Sequence, residues 1–131
     1  MEPVSIFLDL ETTDLKPVKI VQPVQLAARA VMGDTVRIFN KYMNPSISIA
    51  AGSSNVHHLY LVEGQLVRVV DGVEEELEGV VSVKTGLELF WDWVEEMGRL
   101  QPDMDVYMVC YSYNKFDIQV KKFYFRPFLP K

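Results

Sequence analysis

Cysteine is nearly absent from this chain: among 131 residues only Cys110 carries a thiol. A single thiol excludes an internal disulfide and a zinc site built on cysteines, and it suits a reducing compartment. Its place at the end of Val106-Tyr107-Met108-Val109-Cys110 reads as a buried, inert thiol rather than a nucleophile. Long hydrophobic runs are missing as well. No segment approaches the roughly 20 apolar residues needed to span a bilayer. The acidic N-terminus reaches Asp9 before any leader-like stretch forms, so neither a signal peptide nor a membrane partner is expected. The predicted location is intracellular, in nucleus or cytoplasm. Positive charge is scarce too: 13 Lys and Arg stand against 18 Asp and Glu, a formal net charge of −5. That balance excludes a broad basic surface, so nucleic-acid binding has to be local or metal-mediated. Internal repeats and low-complexity tracts are also lacking.

What remains is the balance of a folded domain, 49% hydrophobic and 24% charged. Within it, Ile6-Phe7-Leu8-Asp9-Leu10-Glu11-Thr12-Thr13 is an apolar, strand-like run that carries two carboxylates two residues apart. Alternate side chains of a strand share a face, so Asp9 and Glu11 point one way while Leu8 and Leu10 point the other. Two neighbouring acids repel, and a sheet built for stability alone rarely carries both on one face. A divalent cation removes the conflict and points to phosphoryl chemistry. A solvent-exposed acid pair near a turn is the plainer alternative.

The order of elements follows from pattern and punctuation. Val4 to Leu10 reads as a buried strand, and Asp14 to Lys19 as a turn around Pro17. Pro23 cannot donate to a ladder and suggests a bulge or an edge before a second strand, Gln25 to Val31. Met32-Gly33-Asp34 is a tight turn into a third strand, Thr35 to Met43, closed by Asn44-Pro45. Ser46 to Asn55, small and polar, reads as loop. Leu59 to Val83 holds a further hairpin with turns at Glu63-Gly64 and Asp71-Gly72, and Glu74 to Glu78 reads as a solvated acidic loop. Thr85 is the expected N-cap of a helix, with Glu88 as its capping-box partner. Leu87, Phe90, Trp91, Val94 and Met97 follow at helical spacing, which makes a core face rather than a ligand box. Gly98 and Pro102 end that helix. Asp105 to Cys110 is a buried strand, and Phe116 to Phe125 a last helix stopped by Pro127. The sum is an α+β chain organised around a mixed sheet, expected as one domain over 1–131.

These residues resemble a family. Phe7-Leu8-Asp9-Leu10-Glu11-Thr12-Thr13-Asp14-Leu15 is similar to the first motif of the DEDD (DnaQ-like) 3′–5′ exonucleases, whose fold is ribonuclease H-like. Val21 to Ala28 resembles the strand that follows it there. Asn44-Pro45 and Val56-His57-His58-Leu59 resemble the loop after the third strand, where the family usually has His-Gly. Leu87 to Val94 resembles the helix before the second motif, and Asn114-Lys115-Phe116-Asp117 the end of that motif. The hairpin from Leu61 to Val83 is similar to that of exonuclease-like domains in some animal proteins, several of which have lost catalytic residues.

The resemblance implies a metal-dependent 3′–5′ exonuclease acting on single-stranded nucleic acid 3′ ends with two divalent cations, Mg2+ or Mn2+. Asp9 would bridge both ions, Glu11 would hold the one that activates water, and Asp117 would bind the second. Thr12, Thr13, Leu15 and Asn114 would contact the terminal nucleotide. The family's third motif, a His followed five positions later by Asp, has no counterpart among the fourteen residues after Asp117. That predicts an incomplete copy with weak activity or none. It equally predicts a non-enzymatic module that meets a protein partner or a second copy through its C-terminal region. Asp117 has a plainer alternative as a first-turn helix acid, and His57-His58 as an exposed loop pair rather than ligands.

Overall fold

The computed structural model describes residues 2–14 and 20–110. Ten elements follow in order: β1 (Val4–Thr12), β2 (Pro23–Met32), β3 (Thr35–Asn44), α1 (Ala51–His57), β4 (Leu59–Val62), β5 (Gln65–Val70), β6 (Val73–Glu76), β7 (Val81–Ser82), α2 (Val83–Leu100) and β8 (Val106–Cys110). The result is a mixed α+β fold. A five-stranded sheet runs β7-β3-β2-β1-β8, and a three-stranded sheet runs β4-β5-β6. Strand β8 is parallel to β1, from Val4 beside Val106 to Leu8 beside Cys110. Strand β7 is parallel to β3 and pairs only with Met43 and Asn44.

The described residues form two compact units. One takes the residues up to Asp9, Ala27–Asn40 and those from Leu87 on; the other takes Leu10–Leu26 and Lys41–Gly86. In the first, the inward positions Val4, Ile6 and Leu8 of β1, with Ala28, Ala30 and Met32 of β2, are buried. Phe90, Val94 and Met97 supply the buried stripe of α2, the face that 3.6-residue spacing demands. Phe39 of β3 meets Phe90 edge-on at 5.5 Å and 66°, and Trp93 at 5.5 Å. Each fully buried side chain of this size contributes roughly 1.5–3 kcal/mol.

The second unit is centred on Val24, Leu59 and Leu66, against which Tyr42, Ile49, Leu61, Leu77 and Val80 pack. Its meander turns as the dipeptides require. Glu63 and Gly64 have φ of 51° and 79°, Asp71 and Gly72 of 53° and 75°, the left-handed pair that a two-residue hairpin needs. Arg68 stacks over the Tyr42 ring, 5.4 Å from its centroid, and donates a hydrogen bond to the Tyr42 hydroxyl. Gly86 lets α2 pass close to β3: a Cβ there would lie 2.4 Å from the sulfur of buried Met43.

Several expectations change. The segment read as loop, Ser46 to Asn55, holds the first five residues of α1, which runs on to His57. Pro23 is the first residue of β2, one of the few strand positions where a residue without an N–H is tolerated. The acidic run is only partly loop: Val73–Glu76 is a strand, with all of its side chains exposed, while Leu77 and Glu78 lie beyond it outside any strand. The hairpin partner β5 fixes it regardless of charge. Helix α2 begins two residues before Thr85, whose N–H donates to Ser82 Oγ at 3.1 Å, so Ser82 is the cap. The helix continues past Gly98 to Leu100. Strand β8 is not buried throughout, since Tyr107 is 53% exposed. The expected helix Phe116 to Phe125 and the side chain of Cys110 lie outside the described residues.

Candidate functional site

Strand β1 alternates cleanly, with Val4, Ile6, Leu8, Leu10 and Thr12 buried and the intervening residues not. Asp9 is exposed and Glu11 half-buried. The two acids thus sit on the same, outward-facing side of the strand, as its period of two requires. No set of three or more His, Cys, Asp or Glu side chains comes together among the described residues. Asp117, Asn114 and Leu15 lie outside the described residues.

The end of this strand is held unusually firmly. Thr12 and Thr13 are 4% and 1% exposed, and their polar groups are spoken for by the protein. Thr12 Oγ1 donates to the Asp14 carbonyl at 2.8 Å. Thr13 and Gln22 exchange two bonds: the Thr13 N–H donates to the Gln22 carbonyl at 2.9 Å, and the Gln22 N–H donates to Thr13 Oγ1 at 3.0 Å. The Gln22 amide in turn pairs with Ser46, donating to its Oγ and accepting from its N–H, both at 2.7 Å. The Thr13 carbonyl accepts from Ala50 N–H at 2.8 Å, just ahead of α1.

The last contact comes from the other end of α1. His57 Nε2 lies 3.0 Å from the Thr12 carbonyl, and His57 Nδ1 accepts the Leu59 N–H at 3.1 Å. A carbonyl only accepts and an amide N–H only donates, so both partners require the same neutral tautomer, with the proton on Nε2. Burial pushes the His57 pKa below its ordinary value, and the neighbouring His58 pushes the same way; the Thr12 carbonyl opposes them. His57 is therefore not the exposed loop histidine that the sequence suggested: it ends a helix, half-buried, with both nitrogens engaged.

His58 is the exposed one. Its backbone is left-handed, φ 63° and ψ 20°, and its N–H caps the helix on the Ser54 carbonyl at 2.7 Å. Ser54 Oγ donates to the Leu59 carbonyl at 2.7 Å, which ties α1 to β4. Ser53 Oγ is buried with no partner among the described residues. The signal that sequence reasoning missed was His57 itself: its partner lies 45 residues away, beyond any local pattern.

No family model and no curated protein sequence matches the chain. Among solved structures it is similar to an ExoI/SSB-Ct complex, with a TM-score of 0.51 and 16% identity over 96% of this chain and 24% of that one. The chain thus spans about a quarter of that protein, and at this identity the likeness is one of fold. Among the described residues no helix is long and apolar enough to cross a membrane.

Proposed function

We propose that this chain is an exonuclease-like domain of the DEDD type, on a ribonuclease H-like fold, an incomplete copy with weak activity or none on the 3′ ends of single-stranded nucleic acid. Asp9, Glu11 and Asp117 hold two divalent cations, Mg2+ or Mn2+, and Thr12, Thr13, Leu15 and Asn114 border the terminal nucleotide. The reading takes residues 1–131 as one domain. The observation that carries it is the outward pair Asp9 and Glu11 on a strand whose end is clamped by Gln22, Ala50 and His57. Two hard carboxylate donors suit magnesium-type ions, which favour oxygen ligands and keep part of their water. Such a pair of cations, when bound, activates water and stabilises the leaving oxygen. The fold likeness to an exonuclease complex supports the same reading.

The test is cation-dependent release of mononucleotides from single-stranded DNA and RNA, by wild type and Asp9→Ala. Release that stops on chelation and falls by roughly a hundredfold or more in the variant is the expected result. Release that survives the substitution removes Asp9 from the site.

A second reading, a non-enzymatic interaction or self-association module on the same fold, has its own support. Val36 and Ile38 on β3 are 48% and 74% exposed, and β7 pairs with only the far end of that strand. Among the described residues no strand pairs that side of β3 beside Val36 and Ile38, and apolar strand edges of this kind are pairing surfaces. Sedimentation that finds concentration-dependent association, together with no nucleotide release, favours this reading; a monomer that turns over substrate rejects it.

A further inference from the structure

We propose that His57 is a positioning residue for the acid-bearing strand, its imidazole carrying the location of the α1–β4 junction onto the Thr12 carbonyl beside Glu11. The proposal rests on the nuclease reading of Asp9 and Glu11.

Three observations support it. The ring is bonded at both nitrogens, so it is a rigid strut and not a dangling side chain: Leu59 N–H fixes Nδ1 as an acceptor, which leaves the proton on Nε2 for Thr12. The base of the strut is itself anchored. Ser54 Oγ donates to the Leu59 carbonyl at 2.7 Å, and the His58 carbonyl accepts Val69 N–H at 2.9 Å, so α1, β4 and β5 are bonded to one another at this junction. The far end meets the backbone one residue from Glu11, while Thr13 is held separately by Gln22 and Ala50. Carbonyl by carbonyl, the chain direction at Glu11 is set by groups remote in sequence. Supports of this outer kind orient the ligating side chains, and their loss typically costs roughly ten- to a hundredfold in metal affinity.

Two substitutions separate this role from a merely structural one. His57→Asn places an acceptor near the former Nδ1 and keeps the Leu59 bond, but is too short to reach Thr12. His57→Gln extends an amide N–H to the former Nε2 position and keeps the Thr12 bond. The probe is Mn2+ alone, titrated into the full chain and its variants while paramagnetic broadening of the Asp9 and Glu11 amides is followed by NMR. The wild-type ring is read by its 15N resonances and by scalar coupling from Nε2 across the hydrogen bond to the Thr12 carbonyl.

The expected result is the Nε2–H tautomer with that coupling present. Mn2+ affinity should be lower by about tenfold in His57→Asn and within about twofold of wild type in His57→Gln. A His57→Asn variant that binds Mn2+ like wild type, or a His57→Gln variant as weak as His57→Asn, overturns the proposal while the nuclease reading stands. Wild type that shows no Mn2+ broadening at Asp9 and Glu11 overturns the nuclease reading, and the proposal with it. Should His57→Asn fail to fold, the wild-type ring still decides: a proton on Nδ1, or no coupling to Thr12, refutes the strut.

Discussion

His58 holds a left-handed backbone at the end of α1, with φ 63°, a conformation that costs an L-residue about 1–2 kcal/mol and glycine almost nothing. Glycine also gains freedom in the unfolded chain, which offsets part of the benefit. His58→Gly is therefore expected to stabilise the protein by about 0.5–1 kcal/mol, read as a rise in denaturation midpoint; a fall means the His58 side chain has a role of its own. Its neighbour makes a pH prediction. Burial lowers the His57 pKa from 6.5, so the folded chain takes up this proton at lower pH than the unfolded chain does. The contribution of neutral His57 is fully present above about pH 6.5 and is lost as pH falls below that value toward the depressed folded pKa. Chemical denaturation at pH 7.5 and 5.5 should show wild type losing more stability than His57→Gln, which has no imidazole to charge. Equal losses would mean that the ring is already solvated. At this scale the sequence revealed the acids and hid their support. Asp9 and Glu11 stand out because they share one strand face, whereas nothing local to His57 or Gln22 announces a bond to Thr12 or Thr13.

Among the elements, α2 bears the clearest mark of its sequence. Phe90 is fully buried, edge-on to Phe39 and 6.0 Å from Trp93. Phe90→Ala should cost about 3–5 kcal/mol by equilibrium unfolding, and a cost under 1 kcal/mol would show that the aromatic stripe is not core. Strands β1, β2 and β3, the turn at Gly33 and both turns of the meander were legible because apolar alternation and Gly-containing dipeptides are local signals. Helix α1 was not. Ala51-Gly52-Ser53-Ser54-Asn55 has neither apolar period nor helix propensity, and the helix persists because Ala50 N–H bonds Thr13 and Ser54 Oγ bonds Leu59. The same tertiary override explains β6, whose glutamates follow β5 in register from Val70 beside Val73 to Val67 beside Glu76. The cap moved from Thr85 to Ser82 because Val83 and Lys84 open the helix before its apolar stripe begins.

At the scale of the whole molecule, the sheet order β7-β3-β2-β1-β8 puts the acid-bearing β1 inside the five-stranded sheet, between β2 and β8. On the β8 side the described ladder runs from Val4 to Leu8 and ends just before Asp9, so the position of the acid pair rests on the bonds to Thr12 and Thr13 beyond it. The sequence pattern indicated a mixed sheet but not the order of its strands, because the parallel β1–β8 pair joins segments about a hundred residues apart. A net charge of −5 opposes non-specific capture of nucleic acid, so on the proposed nuclease reading recognition would have to run through bound cations. Calorimetric titration of Mn2+ into wild type and into Asp9→Asn, Glu11→Gln and the double variant tests that claim most directly. The account predicts saturable binding to wild type, weaker by at least about tenfold in each single variant and absent in the double. Equal heats from all four proteins would contradict it.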